Sequence, residues 1–401
     1  MRTSAPSPRT AEMRILVAAE RLGRAGGMER YLEIVLRALA ARGARIHVIA
    51  RAIDAIPDGV HDATEIVWAD EHDRPDDAAR AAAARALAAL RPDVAVAHNV
   101  MDAGIVEALR AAPRFAYHLH DHRPCCPNGD RVFPRTGRIC TEPLGKACAV
   151  HALLDGCAYG PRRRTATLIH RREHLRNALA AADAVVVASE YVGARARESG
   201  IPAERLALVP LPLADDAYAT AVAPSGAREI VFAGRIVPQK GLDSLVRAVA
   251  RLAPARRPRV RAFGDGPALA EVREQAARAG VALDAPGGVT PPVVRAALDA
   301  AAFVVLPSRW AEPFGYVGIE AFARGRPVVA YDVGGVRTWL DDGANGVAVK
   351  PGDEAALARA IGALLDDGER RARLGTQARA DAERYRVEPV VDALLSAYRA
   401  T

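Results

Sequence analysis

The sequence predicts an α/β protein made of two doubly wound domains that follow one another along the chain. Short apolar, β-rich runs alternate with Ala/Leu/Arg stretches of helical period almost throughout its 401 residues. Apolar strands separated by helices are typical of parallel sheets that are covered on both faces. The alternation breaks at Leu211–Arg228, where prolines, small residues and two adjacent aspartates indicate a linker between the domains.

The first predicted domain covers residues 13–213 and follows a polar leader, residues 1–12, rich in Ser, Pro and Arg. Apolar runs predict its strands at Arg14–Ala19, Ile46–Ala50, Val94–Ala97, Phe115–Leu119, Ala184–Ser189 and Leu206–Pro210. Stretches of helical period predict helices at Met28–Arg42, Asp77–Leu90 and Met101–Ala111.

The second predicted domain covers residues 214–386. Its strands are predicted at Glu229–Ala233, Arg259–Phe263, Phe303–Pro307, Pro327–Tyr331 and Val347–Val349. The tail from Ala355 to Ala400 has helical period almost throughout. Its end carries an apolar stripe at helical spacing, made of Val390, Val391, Leu394, Leu395 and Tyr398.

Composition narrows the possible functions. No stretch approaches the ~18 uncharged apolar residues of a membrane span, and Ile15–Ala19 is too short for a signal-peptide core. We therefore expect a cytoplasmic protein.

The net charge of +7 is compatible with binding to nucleic acid, anionic membranes or phosphorylated ligands. The aromatic content of 5% and the absence of a binding module argue against nucleic acid.

Arginine dominates the basic residues, which changes how each cation is interpreted. Only Lys146, Lys240 and Lys350 are lysines among 55 basic residues. An arginine on a loop is therefore weak evidence for function, whereas a lysine is stronger evidence.

In an open parallel sheet, ligands bind beyond the carboxyl ends of the strands, and a glycine turn follows the first strand. Gly26 and Gly27 precede a predicted helix, where backbone N–H groups can approach a phosphate. The turn lacks the G-x-G-x-x-G pattern, so the dinucleotide fingerprint is not met. A tight connection without a ligand is an equal alternative.

The second domain opens with a pair of cations around a strand end. Arg235 follows Gly234 just past the strand, and Lys240 lies just before the next helix. Both cations can reach one point above the sheet edge, as a pyrophosphate clamp requires. Two solvated loop cations are the alternative. Gly264 lies in a similar strand-end turn, which by itself favours a purely structural role.

Two acids surround the start of a later helix. Glu312 lies on a loop stiffened by Pro313, the helix is expected to begin near Gly315, and Glu320 lies about a turn into it. Carboxylates accept hydrogen bonds from sugar hydroxyls, and helix N-terminal N–H groups hold phosphates. A capping acid and a surface acid are the alternative.

Two further groups stand out in the first domain. His118, His120 and His122 alternate at a strand end, which fits a polar strand end, a metal site or catalysis. All five cysteines lie between Cys125 and Cys157 without a C-x-x-C pair, so they match no standard zinc pattern. A structural metal site is a weak candidate there, with Cys126, Cys140, Cys148 and Cys157 as its ligands.

In combination these residues resemble the retaining glycosyltransferases of family 4 (glycosyl transferases group 1), which have the GT-B fold. The matching groups are Gly234-Arg235 with Lys240-Gly241, Glu312 and Glu320 with Pro313-Phe314-Gly315, Gly334-Gly335, and more weakly Gly26-Gly27-Met28-Glu29 and His120-Asp121. The likeness implies two Rossmann-like doubly wound domains facing each other across a cleft. It also implies that a C-terminal helix, residues 387–401, packs back on the first domain.

The resemblance implies roles for the site residues. Arg235 and Lys240 would hold the diphosphate of a nucleotide sugar, Glu312 would contact the donor sugar, and Glu320 would bind the ribose hydroxyls. His120 would lie over the transferred sugar, with Asp121 assisting or orienting it. The remaining donor-binding residues would be Gly26, Gly27, Gly234, Gly264, Phe314, Gly315, Tyr316 and Val317. The cysteine segment is not general to the family, so the acceptor stays open.

The predicted activity is transfer of a hexose-type sugar to an acceptor hydroxyl in glycoconjugate biosynthesis. No two aspartates are two residues apart, so a D-x-D metal site is absent and no cofactor is expected. The charge of the leaving diphosphate would then fall on Arg235, Lys240 and the Gly315–Val317 amides. We favour front-face substitution. A sugar-nucleotide 2-epimerase of GT-B fold is the alternative, and a noncatalytic nucleic-acid binder a remote one.

A basic stretch, Pro161–Arg176, suggests where the acceptor is met. It holds arginines at 162, 163, 164, 171, 172 and 176, with Leu168, Ile169 and Leu175 as a narrow apolar stripe. Anionic lipid attracts such segments. One interpretation is a peripheral enzyme at the inner membrane face acting on a lipid-linked or phosphorylated acceptor. The other is an arginine-rich solvated face and a soluble acceptor.

Overall fold

Two all-parallel β-sheets organise the chain, each in its own unit. The computed structural model describes residues 13–23, 26–66, 68, 77–157, 162–218 and 228–399. One unit runs to Pro212 and includes the segment from Val387; the other is Leu213–Arg386. The predicted leader and the middle of the predicted linker lie outside the described residues.

The first sheet has seven strands in the order β3-β2-β1-β4-β5-β6-β7. Its strands are β1 (Arg14–Leu22), β2 (Arg45–Ile53), β3 (Asp62–Glu65), β4 (Val94–His98), β5 (Phe115–Leu119), β6 (Ala184–Val187) and β7 (Leu206–Leu208). Every residue of β4, β5 and β6 is buried, as expected of strands covered on both faces. The order reverses between β1 and β4, so the loops that follow these strands meet at the carboxyl edge.

Helices cover the first sheet. They are α1 (Gly27–Ala41), α2 (Asp77–Leu90), α3 (Ala103–Leu109), α4 (Lys146–Leu154), α5 (Arg162–Ala180) and α6 (Glu190–Glu198). Side-chain caps fix two of the starts: Asp102 accepts from the Ile105 N–H and Ser189 from the Val192 N–H. α1 buries Leu32, Val35 and Leu36 against the sheet.

The second sheet has six strands in the order β10-β9-β8-β11-β12-β13. The strands are β8 (Glu229–Ala233), β9 (Arg259–Phe263), β10 (Leu283–Gly287), β11 (Phe303–Leu306), β12 (Val328–Tyr331) and β13 (Gly346–Val349). The helices are α7 (Leu242–Ala250), α8 (Leu269–Arg278), α9 (Pro291–Ala300), α10 (Tyr316–Ala323), α11 (Glu354–Asp366) and α12 (Gly368–Ala382). Here the order reverses between β8 and β11.

The last helix, α13 (Val387–Arg399), is an element of the first unit. Its stripe of Val390, Val391 and Leu394 is buried in the same core cluster as β1 and α1. Immediately before it, the Leu213 N–H donates to the Tyr385 carbonyl over 2.7 Å. This bond ties Leu213 to the second unit, whereas the sequence placed it at the end of the first.

The basic helix α5 differs from the expectation. Leu168, Ile169 and Leu175 are buried in the first unit, and the Arg172 side chain is only 2% exposed. The predicted apolar stripe therefore packs on the protein's own core, and Arg172 is not on a solvent face, so the prediction of a surface for lipid is wrong for these residues. The side chains of residues 162–164 lie outside the described part of the chain. Among the described helices, none has the length and apolar character that a bilayer span requires.

Candidate functional site

The reversal point of the second sheet holds a charged pair. Lys240 lies on the loop after β8 and Glu312 on the loop after β11, and these two strands are neighbours. The Lys240 Nζ is 2.8 Å from each carboxylate oxygen of Glu312. It also lies 5.0 Å from the centre of the Trp310 ring, a cation–π contact. The sheet topology thus brings together two residues that are 72 positions apart.

The turn that carries Lys240 is fixed by its neighbours. Lys240 ends a 3-10 turn, and Gly241 follows in the left-handed region with φ 74°. A Cβ on Gly241 would lie 2.0 Å from the Pro307 carbonyl oxygen, so only glycine fits there. Arg309 donates to the Pro238 carbonyl and, over 2.9 Å, to Asp243. These contacts fix the turn from which the Lys240 side chain extends.

Glu312 is buried yet charged. Its side chain is 6% exposed, and its Oε2 also accepts a hydrogen bond of 2.8 Å from the Trp310 Nε1. Burial raises the pKa of the Glu312 carboxyl, but the Lys240 charge and hydrogen bonds from Lys240, Trp310 and Ser308 outweigh burial and lower the pKa overall. The carboxylate therefore stays ionised and can accept hydrogen bonds from hydroxyl groups.

The backbone behind Glu312 is packed by a glycine pair. The Gly335 N–H donates to the Glu312 carbonyl over 2.6 Å. Gly334 has φ 55°, and a Cβ there would lie 2.3 Å from the same carbonyl oxygen. The pair fixes the position of Glu312 by direct backbone contact.

The loop then turns into α10. Gly315 has φ 89° and starts the helix without a side-chain cap, at the end where the dipole of a helix is positive. Phe314 is buried, and its carbonyl accepts from the Trp339 Nε1 over 2.6 Å. Glu320 is half-buried. The helix start therefore offers N–H groups to an anion.

Arg235 is exposed on the loop after β8. Beneath it, a Cβ on Gly264 would lie 1.9 Å from the carbonyl oxygen of Gly234, so the loops after β8 and β9 pack backbone to backbone. Gly234 and Gly264 therefore shape the edge on which Arg235 stands.

The first unit has a histidine cluster at its own reversal point. The Nδ1 of His98, at the end of β4, is 2.9 Å from the Nε2 of His120, just past β5. The His118 ring lies between two tyrosines: its Nδ1 is 3.3 Å from the Tyr31 hydroxyl and its Nε2 is 2.8 Å from the Tyr398 hydroxyl of α13. All three imidazoles are held within the fold.

These histidines are neutral. Burial lowers the pKa of His120 to about 4; the neighbouring Asp121 raises it and Arg123 lowers it. Burial, followed by the neighbouring histidines, also lowers the pKa of His98 and His118 well below the ordinary range. His120 therefore presents an uncharged ring near pH 7.

Asp121 has a different partner from the one expected. Its two oxygens accept from the Arg123 backbone N–H (2.9 Å) and the Arg123 Nε (2.8 Å). The contact that orients the His120 ring comes from His98, and the His120 backbone N–H donates to Asn99 over 3.0 Å. Asp121 thus shapes the turn after His120 rather than binding its ring.

The glycine turn after β1 begins α1. Gly26 has φ 110°, and a Cβ there would lie 2.3 Å from a carboxylate oxygen of Glu29. Burial raises the pKa of Glu29, although its own backbone N–H lowers it. Space around Gly27 is open. The turn requires glycine at Gly26 on backbone grounds alone.

The described residues contain one tight group of metal-ligand type. The ligand atoms of His98, His118 and His120 all lie within 4.8 Å of one another. The hydrogen bonds already given use both ring nitrogens of His118 and one of each other ring. In this structure the three histidines therefore form a hydrogen-bonded network, and a metal ion could bind only if some of these hydrogen bonds were broken.

Several of these residues were missed from the sequence. His98 ends the strand next to β5, a signal of the same kind as His120. Trp310 and Arg309 lie beside Glu312, but an arginine carries little information in this chain. Tyr398 was predicted only as a member of the apolar stripe, because the packing of α13 alone brings its hydroxyl to His118.

A cavity of about 620 Å³ lies elsewhere in the first unit. Arg14, Leu87, Asp93 and Pro113 line it, at the amino ends of β1 and β4. Ligands of parallel sheets bind at the carboxyl ends. We therefore place one candidate site in each unit, at the histidines of the first and at the Lys240–Glu312 pair of the second, rather than in this cavity.

Comparison with known proteins is consistent across both units. The model of Glycosyltransferase Family 4 matches residues 25–216, and the model of Glycosyl transferases group 1 matches residues 219–381. A D-inositol 3-phosphate glycosyltransferase of Nocardia farcinica is 38% identical over 183 residues, 43% of this chain and 40% of that protein. The alpha-D-kanosaminyltransferase of Streptomyces kanamyceticus is 33% identical over 176 residues, 42% of this chain and 45% of that protein. The match thus spans less than half the length of these relatives.

Solved structures match over nearly the whole chain. HepE of Anabaena, in complex with UDP and glucose, has a TM-score of 0.72 at 20% identity and covers 96% of this chain and 98% of its own. The sucrose-phosphate synthase of Thermosynechococcus elongatus gives the same TM-score, identity and coverage. With one family model matching each half and the fold matched throughout, the chain belongs to the family 4 glycosyltransferases and has their GT-B fold.

Proposed function

We propose that the chain is a retaining, metal-independent glycosyltransferase that moves a hexose-type sugar from a nucleotide-diphosphate sugar to an acceptor hydroxyl. The observation that carries this proposal is the Lys240–Glu312 pair at the reversal point of the second sheet. It offers a cation for a diphosphate and an ionised carboxylate for sugar hydroxyls at one place. The nucleotide sugar is the donor substrate, and no cofactor is required.

The leaving diphosphate would be neutralised by the protein. The Lys240 ammonium is held by Glu312, Arg235 is exposed nearby in sequence, and the start of α10 is the positive end of the helix dipole. Groups of this kind, fixed before the reaction, stabilise charge as it develops. Glu320, one turn into α10, would bind the ribose hydroxyls.

Retention would proceed by front-face substitution. Double displacement requires a carboxylate nucleophile near the anomeric carbon. Both oxygens of Glu312 are bonded to Lys240, and Trp310 and Ser308 donate to the same carboxylate, which leaves few free lone pairs. Glu312 therefore suits hydrogen bonding to the sugar better than attack on it.

His120 would lie over the transferred sugar. Because its pKa is about 4, it would act as a neutral hydrogen-bonding group rather than a cation. Its ring is positioned by His98. Asp121 would contribute through the turn it forms with Arg123.

The relatives guide the choice of substrates. One is a D-inositol 3-phosphate glycosyltransferase and another a kanosaminyltransferase, and HepE was solved with UDP. These names support a sugar nucleotide as donor and a polar hydroxyl as acceptor for this chain.

A thermal-shift panel with UDP-, GDP- and ADP-sugars tests the proposal. We expect one nucleotide series to raise the melting temperature, because a bound ligand stabilises the folded state by RT ln(1 + [L]/Kd). The rise should be smaller in the Lys240→Ala, Glu312→Gln double variant than in Glu312→Gln. Product analysis would then show whether the sugar of that nucleotide is hydrolysed or transferred to an acceptor. If no sugar nucleotide shifts the wild-type protein, the proposed donor site is wrong.

We also propose that the enzyme works at the cytoplasmic face of a membrane, with a lipid-linked acceptor. Support comes from the charge of residues 162–164 alone, since the apolar stripe of α5 is buried. Co-sedimentation with anionic vesicles at low and high salt tests it. Binding unchanged after replacing Arg162, Arg163 and Arg164 with Ser would reject this surface.

A further inference from the structure

The segment between β5 and α5 has little apolar burial of its own. Helix α4 buries none of its residues, and Val150, Leu153 and Leu154 are 52%, 54% and 63% exposed. Short segments without a core are usually fixed by cross-links or metals. All five cysteines of the chain lie in this segment, and all are free thiols.

The backbone gathers one pair of cysteines around Arg131. The Cys140 N–H donates to the Arg131 carbonyl over 2.7 Å. The Arg131 N–H is bonded to the Cys126 sulfur. An antiparallel bridge between Val132 and Ile139 closes the intervening turn. Cys126 and Cys140 are therefore on two sides of one residue, although fourteen positions separate them in sequence.

Helix α4 brings the other pair to the same turn. Cys148 lies in its first turn, and the Cys157 N–H donates to the His151 carbonyl over 3.3 Å. The Phe133 ring packs on the His151 ring with centres 4.7 Å apart. The Arg135 N–H donates to the Asp155 carbonyl. These contacts hold α4 and Cys157 against the turn that carries Cys126 and Cys140.

Two of the sulfurs are bonded by backbone N–H groups. Asn128, Gly129 and Arg131 donate to the Cys126 sulfur, and Glu142 donates to the Cys140 sulfur. These bonds fix the positions of the two sulfurs within the turn.

We propose that Cys126, Cys140, Cys148 and Cys157 bind one Zn²⁺ ion that fixes this segment. Four thiolates are a closed tetrahedral set, the arrangement of structural zinc sites. Bonds of about 2.3 Å place tetrahedral sulfurs roughly 3.8 Å apart. Among the described residues only the histidine cluster has its ligand atoms within 4.8 Å of one another. Binding of zinc would therefore require the four sulfurs to lie closer together than they do in this structure.

Cys125 is the natural control. It neighbours Cys126 in sequence, but its side chain belongs to the apolar core with Leu175 and Leu179. Its thiol is hydrogen-bonded with the Ser199 side chain. Because this side chain is buried in that core, its replacement should leave the metal in place.

The experiment is elemental analysis of the full chain, purified without chelator or metal-affinity resin. We expect about one zinc per chain in the wild type and in Cys125→Ser. Each of Cys126→Ser, Cys140→Ser, Cys148→Ser and Cys157→Ser should lower the content at least fivefold. Cobalt bound in place of zinc should give thiolate charge-transfer absorption in the wild type.

Because a serine variant can misfold, a second measurement uses the wild type alone. Mercurial release of zinc, followed with a metallochromic dye, should make the segment from Cys126 to Cys157 sensitive to limited proteolysis. A folded wild type that holds no zinc after incubation with Zn²⁺ and desalting would overturn the proposal. Equal zinc loss in Cys125→Ser, or iron with iron–sulfur absorption, would overturn it as well.

Discussion

Lys240 has two possible duties, as the counter-ion of Glu312 and as a ligand of the diphosphate. Removing a cation from a buried pair leaves an uncompensated charge, which commonly costs about 3–5 kcal/mol. A loss of activity in Lys240→Ala alone would therefore mix folding with catalysis. Glu312→Gln removes the buried charge and provides the matched background.

We expect Lys240→Ala to lower the rate of transfer by about 10²–10³, because it removes stabilisation of the leaving diphosphate. Affinity for the free nucleoside diphosphate should persist in Glu312→Gln and fall at least tenfold in the double variant with Lys240→Ala, measured by calorimetry. If the double variant binds the diphosphate as well as Glu312→Gln does, Lys240 is a counter-ion only.

The ring of His120 leads to a prediction about pH. Its pKa is about 4, so the ring is deprotonated and neutral at every pH above about 5. The pH profile of kcat/KM should therefore show no step from His120 between pH 6 and 8. An inflection near pH 6.5 that disappears in His120→Asn would contradict the buried, neutral ring.

At the scale of residues, the sequence predicted the charged pair of the second unit, Lys240 and Glu312. Lys240 stands out because lysine is rare here, and Glu312 because it precedes a stiff Pro-Phe-Gly turn. The partners that set their state were not foreseen. Trp310 contacts Lys240 through its ring face and Glu312 through its N–H. Asp121 accepts hydrogen bonds from Arg123. The spacing of residues in the sequence does not predict such contacts.

At the scale of elements, α13 completes the first unit. Its Leu394 is fully buried among the residues of β1 and α1, and the Tyr398 hydroxyl bonds to His118. Leu394→Ala should cost about 2–5 kcal/mol of unfolding free energy, and Tyr398→Phe about 1–3 kcal/mol. Ser396→Ala, whose hydroxyl bonds only within the helix to the Asp392 carbonyl, is the control.

Hydrogen exchange read peptide by peptide would locate the effect. We expect faster exchange in β1, α1 and β5 for both α13 variants, with Leu213–Arg386 unchanged. Destabilisation confined to the second unit would show that α13 is not an element of the first.

The elements also show where sequence patterns fail. Central strands were found because they are continuously apolar, whereas β3 and β10 were missed. Both are edge strands. β3 has the polar sequence Asp-Ala-Thr-Glu, and β10 contains Pro286, which an edge strand tolerates because one side needs no donor. In α5 the spacing of Leu168, Ile169 and Leu175 did not show that these residues are buried in the first unit.

At the scale of the whole molecule, the cations that would balance a diphosphate belong to the protein itself. Transfer should therefore persist in brief exposure to EDTA and should not rise with added Mg²⁺ or Mn²⁺. Initial rates under the three conditions measure this. A rate lost in EDTA and restored within seconds by Mg²⁺ would place a metal at the diphosphate and contradict the assignment of Arg235 and Lys240.

The position of α13 also has a consequence for biosynthesis. The first unit cannot bury Leu32, Val35 and Leu36 fully until α13 has been made, yet the ribosome makes all of Leu213–Arg386 in between. At about 5–20 residues per second, that interval is on the order of 10–30 s. For that time an apolar face of the nascent first unit stays open, which makes it a natural client for a chaperone. The second unit, continuous in sequence, can fold as soon as it emerges.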